Sequence, residues 1–380
     1  MNMYTIFGHT LYTGTDVLQN VYINMDGATI ASITPEPAGT LAGEYPVITP
    51  AFIDAHSHIG MIRAGEPGAE AEANERMDAM LAHADALDSV QMDDAGFTDS
   101  LESGVLYSCV VPGSGNIIGG NSAVIRNYGA NTNDALIRRA GIKAAFGYNP
   151  MSTREWKGTR PFTRMGALAI LRAKLHDVRQ KMAKEKAKED ADVTYTAEEV
   201  ILKSLLTGAD RLRVHVHKSD DIAALLRFVD EFGLKVTIEH TCDVHEVEIY
   251  RELKARGIPV IYGPMDTLAY KVELKHENWR NIKYLIESGV EFGLMTDHPV
   301  ILQKMLLFEL RWFLRIGFSK QQALEIITRK NAQILGIADV LGTLEPGKWA
   351  SFVGWNGDPF SLESYPLVAY GEGKLVYREA

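Results

Sequence analysis

Hydrophobic and polar positions follow two rhythms along this chain. Up to about residue 50 the pattern is that of strands. "YTIFGHTLYTG" and "NVYINMDGATIASITP" are β-branched and aromatic runs broken by Gly, Asp and Pro, with "MDGA" as a hairpin turn. The same texture returns at the far end in "KWASFVGWNGDPF", "PLVAY" and "KLVYREA". Chain termini often lie together, so both ends are predicted to build one small composite β-sandwich domain, residues 1–48 and 340–380. Over residues 49–339, apolar runs alternate with helix-period segments, the mark of βα units. The strand candidates are "FIDAHSH", "GVLYSCVV", "SAVIRNY", "GIKAAFGY", "RLRVHVH", "KVTIEH", "IPVIYG" and "EFGLMTD", the eight of a (β/α)8 TIM barrel. No clear helix separates the third from the second. In the second half helices stand out: "DDIAALLRFVDEFG" starts on Asp and stops on Gly, and "SKQQALEIITRKNAQILG" opens with a Ser cap. The run "RQKMAKEKAKEDAD", 179–192, interleaves both charges and reads as a solvated helix or excursion.

Chemistry concentrates at the strand ends. "FIDAHSH" ends in His56 and His58, "RVHVH" in His215 and His217, "TIEH" in His240 and "LMTD" in Asp297. Residues i and i+2 of a strand share a face, so His56 and His58 aim at one point. His215 and His240 are one strand–helix–strand step apart, and Asp297 lies two further steps on. In a parallel barrel all these ends converge on one face. Imidazole nitrogen with carboxylate oxygen suits zinc and similar divalent metals, which can lower the pKa of bound water to roughly 7. Each residue alone has a plainer role, a hydrogen-bonded His or an N-cap Asp. It is their joint placement that points to a metal site.

Composition narrows the partners. A net charge of −10 argues against nucleic acid and anionic membrane surfaces, which favour a basic face. Two cysteines cannot make a disulfide scaffold, and no stretch reaches the apolar length that spans a bilayer. The N-terminus lacks the pattern of a signal peptide. These features predict a cytoplasmic protein acting on a small molecule. Whether it forms a homo-oligomer is left open.

The combination of "ITPAFIDAHSH", "VHVHKSDDI", "IEH", "MTDHP" and "LGTLEPGKWASFVGWNGDP" resembles the amidohydrolase superfamily, within it the imidazolonepropionase-like enzymes that include metal-dependent dipeptidases. The resemblance covers essentially the whole chain. It implies hydrolysis of a C–N bond by metal-bound hydroxide, with Asp297 as general base. By position it makes His56, His58, His215 and Asp297 metal ligands, and His240 either a further ligand or the group that polarises the substrate. Deaminases of the superfamily usually carry a Glu three residues after the strand-five His. Here that position is Lys218, which disfavours a ring-amine deaminase as the alternative. A metal-free scaffold is the other alternative, against which the complete ligand set argues. Binuclear members bridge their metals with a carboxylated Lys or a Glu near the end of strand four. Here that end reads as Tyr148, with Lys143 early in the strand, so one zinc per chain is favoured. If there are two metals, Lys143 is the bridging candidate.

Further residues are expected to shape the pocket. His217 lies one pleat beyond His215, and His298 follows Asp297. The loop "PGSGNIIGGNSAV" offers the backbone N–H groups of Gly119 and Gly120 to a substrate carboxylate. Arg160 and Arg164, after strand four, are candidate partners for the same group. Tyr148 and Lys218 complete the predicted substrate contacts.

Overall fold

A computed structural model of the chain describes residues 3–151, 160–187 and 193–380. Its strands, in chain order, are β1 (Tyr4–Tyr12), β2 (Val17–Asp26), β3 (Thr29–Thr34), β4 (Thr40–Pro50), β5 (Phe52–Ser57), β6 (Val105–Val110), β7 (Ile118–Arg126), β8 (Leu136–Ala145), β9 (Leu212–Val216), β10 (Val236–His240), β11 (Val260–Tyr262), β12 (Phe292–Leu294), β13 (Phe352–Trp355), β14 (Pro366–Gly371) and β15 (Lys374–Arg378). The two chain ends meet as expected. They form one seven-stranded sheet, β15-β14-β13-β4-β1-β2-β3, in which β4 pairs with β1 in parallel and with β13 antiparallel. The sheet curls until the backbone of Ile30 bonds that of Gly347 and Lys348. Ile6, Leu11, Ile23, Ile48 and Phe352 are buried within it.

β5 to β12 follow one another in an eight-stranded sheet. All eight predicted strands are present, but not all are parallel. β7 runs antiparallel to both β6 and β8. The physical reason lies in the connections. Between β7 and β8 stands only the four-residue helix Thr132–Ala135, too little chain for the crossover that a parallel neighbour needs. From β8 onward the pairs are parallel.

The sheet closes between β12 and β5. Asp297 N donates to His56 O (3.1 Å) and His58 N to His298 O (3.0 Å). Buried Asp54 accepts from Thr296 N at 3.1 Å and also bonds the Thr296 hydroxyl. Asn331 fastens the seam from outside: Nδ2 donates to Ile53 O (2.7 Å) and Leu294 O (2.8 Å), and Oδ1 accepts from Leu294 N (2.9 Å). A Cβ on Gly293 would come within 2.0 Å of that oxygen, so the strand needs a glycine there.

The helices follow their sequence signals. Ser219–Phe232 ends at Gly233 in the left-handed conformation (φ 71°), although its N-cap is Lys218. Ser319 closes a capping box with Gln322, as its place before the run suggests. The helix Arg164–Ala187 takes up most of the mixed-charge run, and 188–192 lie outside the described residues.

Candidate metal and active site

Strand alternation builds the centre. In β9, Arg213 and His215 point into the barrel, and His217 continues the same row just past the strand. Leu212, Val214 and Val216 face the other way, into the apolar core. Arg213 is 1% exposed; its Nη2 donates to Ala55 O (2.8 Å) and stands 2.6 Å from Glu239 Oε1 as an ion pair. Glu239 Oε2 in turn lies 2.6 Å from His56 Nδ1. Burial works to raise the Glu239 carboxyl, but Arg213 and His56 outweigh it and hold it down at about 2. The carboxylate therefore stays charged, fixes the ring of His56 and directs Nε2 inward.

Neighbouring strand residues point to opposite faces, yet Glu239 and His240 both serve the centre. The backbone explains how. His240 and Thr241 take positive φ (82° and 57°), which swings the His240 ring back beside that of His215, 4.2 Å between centroids. Asp297 is likewise left-handed, at φ 52°. Such backbone costs of order 1–3 kcal/mol per residue and gathers at functional sites.

Two groups of donors result. His56 Nε2 and His58 Nε2 lie 3.3 and 3.1 Å from Asp297 Oδ1. His58 is oriented by Val111 O, 2.8 Å from its Nδ1. Burial tends to raise the Asp297 carboxyl, but hydrogen bonds from the two histidines hold it well below the usual carboxylate range. His215, His217 and His240 form the second group, and all three are buried. Burial depresses all three imidazoles, that of His215 to about 4, so they are neutral and able to ligate. Three buried ring nitrogens, His215 Nδ1, His217 Nδ1 and His240 Nε2, have no hydrogen-bond partner. Unpaired buried nitrogen is costly unless something binds it, so the donor set fits a divalent metal.

Lys143 reaches the first group through His56. It was expected early in strand four, with the strand ending near Tyr148. In fact β8 ends at Ala145, and Lys143 is near its carboxyl end, 1% exposed. Its Nζ is 3.1 Å from His56 Nε2 and 3.9 Å from Glu239 Oε2, and burial brings its pKa down to about 8.

The other expected residues have varied placements. His298 is buried, its Nδ1 accepting from Gln303 N (3.1 Å), and burial lowers it to about 4. Lys218 points to Asp243 Oδ2 (3.3 Å). Tyr148 is partly exposed, and its N–H donates to Glu273 Oε2 (3.1 Å). Gly119 and Gly120 do not form an open loop. Both belong to β7, Gly120 opposite Lys143, where a Cβ would meet Ala84 O at 2.4 Å. Arg160 donates to the carbonyls of Gly115 and Glu75, both at 2.7 Å, and Arg164 pairs with Asp221 at 2.8 Å. Neither arginine's named partner belongs to the two donor groups.

Two carboxylates escaped the sequence reading. Glu239 had a signal, a charge inside an apolar strand next to His240. Glu273 had none, because it arrives on the connection between β11 and β12. Its Oε1 is 3.1 Å from His215 Nε2 and 2.8 Å from Lys271 Nζ, and it is fully buried. A small cleft of about 10 Å³ beside the centre is lined by His217, Asp297, Tyr270, Lys271 and Leu274, among others.

Comparisons with known proteins agree with this fold. An amidohydrolase tasK of Hapsidospora irregularis is 24% identical over 95% of this chain; the chain spans 40% of that relative's length. The crystal structure of an amidohydrolase from Thermotoga maritima superposes with a TM-score of 0.92 at 29% identity, over 99% of this chain and all of that one. A prolidase complexed with N-methylphosphonate-L-proline (TM-score 0.64, 16% identity, both chains fully covered) and E. coli guanine deaminase (0.54, 15%, both chains fully covered) share the fold. Among the described residues, no helix is long and apolar enough to cross a membrane. The model of the amidohydrolase family matches residues 47–376, and the chain belongs to that family.

Proposed function

We propose that this protein is a metal-dependent hydrolase of an amide or cyclic amide bond, with Asp297 as its general base. The observation that carries the reading is the pair of neighbouring donor groups, His56/His58/Asp297 and His215/His217/His240, with Lys143 against His56. Two groups favour two ions over the single ion expected from the sequence. Lys143, at the strand end, would lie between them, and its depressed pKa makes it a nucleophilic amine open to carboxylation. Zinc fits imidazole and carboxylate donors. A divalent cation held there supplies Lewis acidity and lowers the pKa of coordinated water to about 7.

The chain's own groups do the rest. Asp297, kept ionised and with its side chain 14% exposed toward the cleft, takes the proton from the attacking water and returns it to the leaving nitrogen. Glu239 and Val111 hold His56 and His58 in one tautomer each. His217 lines the cleft beside Asp297 and Lys271, so its group stands where a substrate would reach. Residues 49–339 would form the catalytic barrel and 1–48 with 340–380 a β-sandwich beside it.

The test is elemental analysis of chelator-free protein together with turnover of a dipeptide panel that includes Xaa-Pro substrates, scored beside ammonia release from guanine. Bound zinc and dipeptide cleavage, both lost in His215→Ala with the fold kept by circular dichroism, are expected. Ammonia release without chain cleavage would return the deaminase reading. Protein with no metal and no activity after zinc or manganese addition would refute both.

A further inference from the structure

The connection between β11 and β12 has two sides. Inward it delivers Lys271 and Glu273 to the metal centre and forms the edge of the cleft. Tyr270, Lys271 and Leu274 of this segment line the small cleft beside His217 and Asp297, so the position of the segment sets the room left there. Outward it carries His276, which meets Asp243 and His245 from the turn after β10. One ligating atom from each of these three lies within 4.8 Å of the other two.

We propose that Asp243, His245 and His276 form an auxiliary transition-metal site, weaker than the inner centre, and that filling it clamps residues 264–277 over the cleft. The donors are already set. Asp243 is 3% exposed, and its Oδ1 accepts the backbone N–H of His276 at 2.5 Å, so the carboxylate is oriented and joined to the β11–β12 connection. Its Oδ2 lies 3.3 Å from His276 Nδ1. His245 Nδ1 is 2.8 Å from Asp243 O, which fixes that ring, and the two imidazole centroids are 4.4 Å apart. Two imidazoles and a carboxylate with the outward positions free for water suit Zn, Ni, Co or Cu(II).

Lys218 sets the weakness. Its ammonium, 3.3 Å from Asp243 Oδ2, competes for the oxygen that a cation would use. The Lys218 side chain is 27% exposed and can withdraw to solvent when a cation arrives. The outer site therefore fills after the inner one. A bound ion would join the β10 turn to the β11–β12 segment and act as a brake on entry; that consequence, unlike the binding itself, rests on the hydrolase reading above.

The probe is Ni(II) alone, titrated into protein as purified with its inner ions. Tryptophan emission reports it, since Trp279, stacked on Trp312 at 4.7 Å, lies three residues from His276. Nickel should quench the emission at one added equivalent per chain and slow amide exchange across 264–277. His245→Asn combined with His276→Asn should weaken this binding about tenfold or more while leaving inner metal content unchanged. Lys218→Met should tighten it. Equal nickel binding by parent and double variant, or none by either, would overturn the site, and binding without slowed exchange would overturn the clamp. Because the readouts need no turnover, failure of the hydrolase reading leaves them interpretable.

Discussion

The two halves of the barrel are built differently. From β9 to β12 the strands are all parallel, and each βα step returns the next strand end to the same face. From β5 to β8 the chain instead wanders through irregular segments and inserts the reversed strand β7. Both halves nevertheless supply the centre: His56, His58 and Lys143 from the irregular half, His215, His217, His240 and Asp297 from the regular one. Regular repetition is thus one way to bring donors to a common point. Closure of the barrel is the other, because it carries β5 round to β12 and sets His56 and His58 against Asp297.

The largest effect should come from the regular half. Asp297→Asn keeps the shape and loses the base, and turnover should fall about 10²–10⁴-fold with the circular dichroism spectrum kept; unchanged kcat would remove Asp297 from the chemistry. Next is the seam where the halves join. Asn331→Ala leaves Leu294 N–H and the carbonyls of Ile53 and Leu294 without their partner, and should cost about 3 kcal/mol in urea unfolding. Gly293→Ala should destabilise in the same experiment through collision with Asn331 Oδ1. If neither variant moves the midpoint, closure does not depend on this clasp.

For the irregular half, Lys143→Met should lower metal affinity about 10–100-fold in competition with a chromogenic chelator. Unaltered affinity would mean that the donors of the regular half, with His56 and His58, suffice.

The smallest effect concerns Glu309, which is buried and accepts from Met265 N at 2.9 Å beside the connection that follows β11. Burial raises its carboxyl from 4.5 to about 8. Between those values the folded state binds the proton and the unfolded state does not, so this group's contribution to stability falls as pH rises from about 4.5 to about 8. Glu309→Gln should therefore raise Tm most at pH 9 and little at pH 4; a shift independent of pH would show that the carboxyl is not protonated in the fold.

Much of this was legible in the sequence. All eight barrel strands, the joining of the chain ends and the Ser319 cap followed from period and turn chemistry, which act over a few residues. So did the convergence of His56, His58, His215, His240 and Asp297, because strand alternation and strand ends are local properties. The direction of β7 was less legible, since it depends on what the chain between strands can reach. The place of Lys143 was misjudged because "GIKAAFGYNP" continues apolar past Ala145, and only pairing with β9 stops the strand there.

By itself, then, the sequence determined which residues could carry metal chemistry and on which strands they stand, since donor type and periodicity are written in neighbouring residues. Tertiary structure alone decided the rest. It brought Arg213, Glu239 and His56 into one chain of contacts, set Lys143 against His56 and laid Glu273 against His215. Those relations join residues up to 183 positions apart, and such distances close only when the barrel does.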